Sequence, residues 1–180
     1  MNLQMDGEGD MLIMDAEDEC VKEFLLHQKV FDSPIGRLLI TADEEGICEI
    51  RLMNPDEESK EEEKSTFLLA CAAQQLEEYF AGRRQRFELP LSRRGTAFER
   101  EVWQALEAIQ FGETRSYGQL AAQLGKPNAA RAVGGACARN PLLIIVPCHR
   151  VIASSGALTG FAAGMDAKRL LLELEGHRIK

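Results

Sequence analysis

Apolar positions in the first third of the chain come in short runs between turn residues; further on they recur mostly at helical spacing. Val30-Phe31 and Leu38-Leu39-Ile40 flank Ser33-Pro34-Ile35-Gly36, which reads as strand, turn, strand. Asp43-Glu44-Glu45-Gly46 is a second turn and Ile47 to Leu52 a third strand, so a meander of short antiparallel strands is predicted. After a charged linker from Pro55 to Lys64, Leu69, Ala72, Ala73, Leu76 and Phe80 share one helical face, and Gly82 stops that helix. Phe87 to Leu91 reads as a further strand or an extended connector. Thr96 and Glu99 form a capping box ahead of a stripe made by Phe98, Val102, Leu106 and Ile109, with Trp103 beside it as a core residue.

Two short helices follow. Tyr117 to Leu124 is joined by Gly125-Lys126-Pro127 to a helix predicted to start at an Asn128 cap and run to about Arg139, a helix-turn-helix arrangement. The second of these is made of small residues, with Gly134 and Gly135 in its interior. Each such glycine costs about 1 kcal/mol relative to alanine. Either close packing against another helix or close approach to a nucleic-acid groove would compensate, and Arg131 favours the groove. A last helix is predicted from Asp166 to Glu175, closed by Gly176.

Ile144-Ile145-Val146-Pro147-Cys148-His149-Arg150-Val151-Ile152 breaks both rhythms. Pro147 cannot donate to a ladder, so the apolar run is predicted to end there as a strand or extended segment, presenting a thiol and an imidazole side by side. A buried structural cysteine is the ordinary reading of such a residue. The neighbouring His149 and Arg150 and the rigid backbone point instead to an activated nucleophile.

Composition narrows the setting. No run approaches the roughly 18 apolar residues of a membrane helix, and the acidic N-terminus has no secretory core, so neither membrane span nor signal peptide is expected. Five unpaired-looking cysteines argue against a disulfide framework, and a reducing cytoplasmic (or, in a eukaryote, nuclear) compartment is expected. The net charge of -8 is unevenly spread: Met1 to Thr66 carries 6 basic and 19 acidic residues, the remainder 15 and 10. A basic second half can meet phosphates. Arg83, Arg84 and Arg86 are a further candidate anion patch, more simply read as solvated surface.

Ser116-Tyr117, Ala130-Arg131-Ala132-Val133-Gly134-Gly135-Ala136, Asn140-Pro141, Pro147-Cys148-His149-Arg150-Val151-Ile152 and Leu174-Glu175-Gly176-His177 occur in that order, and together they resemble the O6-alkylguanine-DNA alkyltransferases. The resemblance covers about residues 96–177. It implies an α+β protein, with an N-terminal α/β domain over 21–91 and a mostly helical DNA-binding and alkyl-acceptor domain over 92–180 with a helix-turn-helix or winged-helix-like unit; residues 1–20, rich in Asp and Glu without a sustained period, are read from their composition as an acidic flexible tail. It further implies repair without a cofactor by a monomer on double-stranded DNA, in which a flipped O6-alkylguanine passes its alkyl group to a cysteine once and irreversibly.

By that resemblance Cys148 is the acceptor and His149 takes its proton through a water. Glu173 and Glu175 compete to orient His149. Glu173 suits a surface pair with Arg169, whereas Glu175 follows Leu171 and Leu172 on the inward stripe, and the family pattern also selects Glu175. Tyr117 is the implied donor to the leaving base, and Asn140 holds the recognition helix against the cysteine segment. Arg131 fills the space of the extruded base, with Ser116, Ala130, Gly134, Gly135 and Cys137 as further DNA-facing positions. Pro147, Val151, Ser154, Ser155, Phe161 and Ala162 are the implied pocket. Phe161 and Ala162 stand where some members have tyrosine and serine, so a roomy pocket is expected, open to groups larger than methyl and to O4-alkylthymine. Cys20, Cys48, Cys71 and Cys137 are most simply structural. Cys20 and His27 are a thin basis for zinc, and no metal is expected.

Three other readings compete. A Cys-His-Glu hydrolase leaves the small-residue helix and Arg131 unexplained. An alkyltransferase-like lesion sensor would lack Cys148, and a plain helix-turn-helix regulator would have no use for Pro-Cys-His-Arg.

Overall fold

The computed structural model describes residues 26–57 and 66–177. The expected tail, with Cys20, and most of the charged linker lie outside them. β1 (His27–Ser33), β2 (Gly36–Ala42) and β3 (Ile47–Leu52) make the expected antiparallel meander in that order. Ser33 pairs with Gly36 around the first turn, and Asp43 Oδ1 closes the second by accepting from the Glu45 and Gly46 amides at 2.9 and 3.1 Å. β2 lies between its neighbours and buries every residue from Leu38 to Ala42, so both faces of the sheet are covered there. α1 (Phe67–Phe80) packs on β1 and β2 through Leu69, Ala72, Leu76 and Tyr79.

Phe87 to Leu91 is a connector, held to β3 by a single parallel bridge between Ile47 and Leu91. The Ile47 amide donates to the Pro90 carbonyl at 2.9 Å. This close approach demands glycine at position 46, where a Cβ would stand 2.4 Å from the Pro90 oxygen. α2 (Ala97–Glu107) then begins at the expected Thr96–Glu99 capping box, an arrangement worth about 0.5–2 kcal/mol. Trp103 is buried on it, and its Nε1 donates to the Ala136 carbonyl at 2.9 Å.

The helix pair is α3 (Tyr117–Gln123) and α4 (Ala130–Ala138). Asn128 does not cap α4. The Ala129 amide donates to the Lys126 carbonyl, so Asn128 sits inside a tight turn one position too early, and Ala129 occupies the cap without a side-chain bond. Ser116 caps α3 in a second capping box with Gln119. A two-stranded parallel sheet that the periodicity did not reveal joins β4 (Arg115–Ser116) to β5 (Val151–Ile152). It ties the start of α3 to the end of the cysteine segment.

That segment is no strand. The Ile145 and Val146 amides donate to the Leu143 and Leu142 carbonyls, and Ile144 adopts φ 73, the left-handed region a β-branched residue rarely enters. Such strain costs about 1–3 kcal/mol and persists only where the surroundings impose it. Here β3 imposes it: the Ile50 amide donates to Pro141 O and Ile50 O accepts from the Leu143 amide. Cys148–Arg150 follow as one 3₁₀ turn after Pro147. α5 (Met165–Leu174) closes the fold at Glu175. Among the described residues no helix is long and apolar enough to cross a membrane.

Candidate active site

The 3₁₀ turn places three consecutive side chains in the core: Cys148, His149 and Arg150 are 4%, 0% and 6% exposed. A buried thiol and imidazole both resist charging. Burial pushes the Cys148 thiol up, opposed by the Asn140 amide and by the Lys168 ammonium. Burial likewise pushes His149 below its ordinary value, against the pull of Glu175.

Asn140 is the clamp on the sulfur. Its Nδ2 donates to Cys148 Sγ at 3.2 Å and to Val146 O at 2.8 Å, while its Oδ1 accepts from the Leu142 amide at 3.0 Å. One side chain at the end of α4 thus fixes both the loop and the thiol.

Glu175, not Glu173, meets His149. Glu173 is exposed, whereas His149 Nε2 lies 2.9 Å from Glu175 Oε1. Arg150 grips the same carboxylate from Nε and Nη2, both at 2.8 Å, and its Nη1 donates to Ile109 O at 2.6 Å. Tyr79 Oη donates to Oε1 at 2.7 Å and the Gly112 amide to Oε2 at 3.2 Å. Gly112 can do so because it holds φ 78 and brings no Cβ against the Glu175 backbone. Burial pushes the carboxyl up, but the bonds from His149 and Arg150 prevail and hold it at about 2. An ionised carboxylate only accepts, so Nε2 carries the proton. His149 Nδ1 then holds the free lone pair, and it is buried without a hydrogen-bond partner among the described residues. The imidazole is therefore set up as a base at Nδ1.

The thiol opens onto a cleft of about 320 Å³ lined by Tyr117, Gly134, Cys137, Cys148, Phe161 and Ala162, among others. Phe161 turns its ring edge-on to His149, with centroids 6.3 Å apart. Thr159 Oγ1 donates to Tyr117 Oη at 3.3 Å. A larger cavity, about 450 Å³, lies between the Phe87–Leu91 connector and the end of α2; it reaches Pro147 and Arg150 but not the sulfur. The smaller space is the one with the chemistry.

Several expected positions fall elsewhere. Pro147 lines the larger cavity, and Val151 is wholly buried because β5 pairs with β4. Ser154 and Ser155 are exposed on the turn closed by the Ala153 amide and the Ala157 carbonyl. None of these four walls the cleft. Cys137 is not outward-facing on α4; it is 7% exposed in the cleft wall, where burial pushes its thiol up to about 12. Arg131 is exposed, Ala130 and Gly135 are half-buried, and Ser116 is half-buried as the α3 cap.

Three buried polar side chains make contacts that the sequence does not predict. Tyr79 lies three residues after Leu76, on the same inward face. Lys168 precedes Leu171 and Leu172 by three and four, and its Nζ donates to Val151 O and Thr159 O at 2.6 and 2.7 Å. The third is Arg150, whose grip on Glu175 has no local signature. For the first two, the helical spacing was the signal available.

Comparison with known proteins agrees over nearly all the described chain. Residues 97–177 match the family model "6-O-methylguanine DNA methyltransferase, DNA binding domain", and residues 26–93 match "6-O-methylguanine DNA methyltransferase, ribonuclease-like domain". A methylated-DNA-protein-cysteine methyltransferase of Methanosarcina acetivorans is 46% identical over 158 residues, covering 84% of this chain and 99% of that protein. The constitutive one of Bacillus subtilis is 49% identical over 151 residues, covering 80% and 92%. The crystal structure of Mycobacterium tuberculosis O6-methylguanine methyltransferase is 45% identical with a TM-score of 0.76, covering 84% and 93%. The M. tuberculosis protein solved in complex with DNA is 46% identical with a TM-score of 0.75, covering 83% and 92%.

Proposed function

The chain belongs to the 6-O-methylguanine DNA methyltransferase family, and from that footing we propose that it repairs O6-alkylguanine in duplex DNA by moving the alkyl group to Cys148, once per molecule. The observation that carries this is the array at the cleft: a thiol clamped by Asn140, beside a histidine whose Nε2–H is taken by Glu175. Alkyl transfer asks for a soft nucleophile, and thiolate is the best a side chain offers. His149 Nδ1 takes the thiol proton through one water. Cys148 Sγ attacks the alkyl carbon, the carbon–O6 bond breaks, and its electron pair stays with the guanine. The Tyr117 hydroxyl donates a hydrogen bond to the released base, and the base anion takes its proton from water. A thioether does not hydrolyse under these conditions, so the acceptor is consumed.

DNA is engaged by the helix pair, with Arg131 standing in for the extruded base. Gly134 and Gly135 support this. A Cβ at Gly134 would meet the Tyr117 ring at an ordinary 3.7 Å, and one at Gly135 only the guanidinium end of Arg139 at 3.4 Å. Internal packing alone does not demand either half-buried glycine, and the missing side chains leave room for the close approach of a partner such as a minor groove. The protein acts as a monomer inside the cell, where a reducing medium preserves the thiol.

The test is mass spectrometry after mixing with an oligonucleotide containing O6-methylguanine. One added methyl on the Cys148 peptide is expected; an unmodified Cys148 in intact protein rejects the reading. The cleft's small and aromatic walls, Gly160, Phe161 and Ala162, extend the range to larger groups and to O4-alkylthymine. Inactivation by O6-benzylguanine is therefore expected alongside that by O6-methylguanine, and complete exclusion of the benzyl group would sink the extension.

A further inference from the structure

Tyr79 lies 96 residues from Glu175 in the chain, at the end of α1, and gives its only O–H to the carboxylate oxygen that also receives His149. The ring cannot drift. Phe80, Phe87 and Phe111 surround it at centroid distances of 5.4, 5.5 and 6.2 Å, and it is fully buried. Burial, then the Glu175 charge, push the phenol far above its ordinary range, so it remains a donor at every working pH. Oε1 thus divides its charge among Tyr79 Oη, His149 Nε2 and Arg150 Nη2.

Every donor added to a carboxylate lowers its basicity. Without Tyr79, Glu175 would pull harder on the Nε2 proton, and His149 would become more basic but less well aimed. The other charged or titratable groups facing this pair are Arg150 of the same turn, Lys168 of α5 and the Cys148 thiol. None of them comes from the N-terminal part of the fold. We propose that Tyr79 is a positioning residue for alkyl transfer, which orients Glu175 and sets how readily His149 takes and releases a proton. The sheet-and-helix unit that carries it is then a working part of the transfer site. This inference rests on the function proposed above.

The experiment uses the full chain as wild type, as Tyr79→Phe, and with 3-fluorotyrosine, a stronger donor, placed at position 79 alone. Single-turnover methylation of Cys148 is followed from about pH 5 to about pH 9, and His149 is titrated by NMR in all three proteins. Tyr79→Phe is expected to slow transfer at neutral pH by roughly 3- to 10-fold and to move the acid limb to higher pH. The fluorinated protein should move the limb the other way. Opposite displacements exclude a merely structural role, which would lower the melting temperature without ordering the two limbs. An unchanged limb and unchanged His149 titration in the variants overturns the proposal. If Tyr79→Phe fails to fold, the fluorinated protein decides alone. If wild type leaves Cys148 unmethylated, the proposed function fails, and the direction of the His149 titration still decides the role of Tyr79.

Discussion

Cys148→Ser is expected to abolish alkyl transfer, by roughly 10⁴-fold or more, while the protein still binds DNA carrying O6-methylguanine. The substitution is nearly isosteric at a site only 4% exposed, and Asn140 Nδ2 can donate to the new hydroxyl as it does to the sulfur. What is lost is chemical. A serine hydroxyl ionises far less readily than a thiol, and its oxygen is a harder, poorer nucleophile toward a saturated carbon. His149 can orient but not sufficiently activate it. Quantitative mass spectrometry and a gel-shift titration together check this. Methyl appearing on Cys137, the other thiol in the cleft wall, would refute the assignment of Cys148 as the sole acceptor.

Glu175→Ala should be the most damaging single change to stability in the site, at about 3–5 kcal/mol, because it strands a buried charge. Arg150 is 6% exposed and gives two of its bonds to this carboxylate; Tyr79 and His149 lose their acceptor in the same step. Urea unfolding measures the loss, and a value below about 1 kcal/mol would show that the network is no stronger than an exposed pair.

Acid should reveal the same residue. Glu175 is held at about 2 in the folded protein, below its ordinary 4.5. Its contribution is fully present above the unfolded value and is lost as pH falls from about 4.5 towards about 2. His149 acts earlier. Its folded value lies below 6.5, so the unfolded chain takes the proton first and stability begins to fall as pH drops through 6.5. Melting temperature against pH should therefore decline from near neutrality and decline again in the carboxylate range. In Glu175→Gln the lower decline should shrink.

Much of the frame was legible because it is local. The Thr96–Glu99 capping box, the Asp43 turn and the three strands each depend on residues within a few positions of one another, and each stands as the sequence predicts. Where local signals compete, longer-range contacts decide. Asn128 is a good cap in isolation, but the turn from Lys126 to Ala129 takes that position out of reach of the helix. Ile144 to Val146 looks like a strand by composition, yet β3 captures Pro141 and Leu143 and folds the intervening backbone into a strained turn. Strand propensity spans only about 1 kcal/mol per residue, and tertiary pairing overrules it easily.

What the sequence determined by itself is the N-terminal meander, the five helices, the thiol beside its imidazole, and the choice of Glu175 over Glu173 from its place on an apolar helical stripe. Those follow from periodicity and side-chain chemistry, which are carried residue by residue. Only the tertiary structure decided that Tyr79, Gly112, Arg150 and His149 converge on one carboxylate, and that Cys137 faces the cleft rather than the outside. The reason is physical: burying one carboxylate requires several donors, and those donors come from segments up to 96 residues away that only packing brings together.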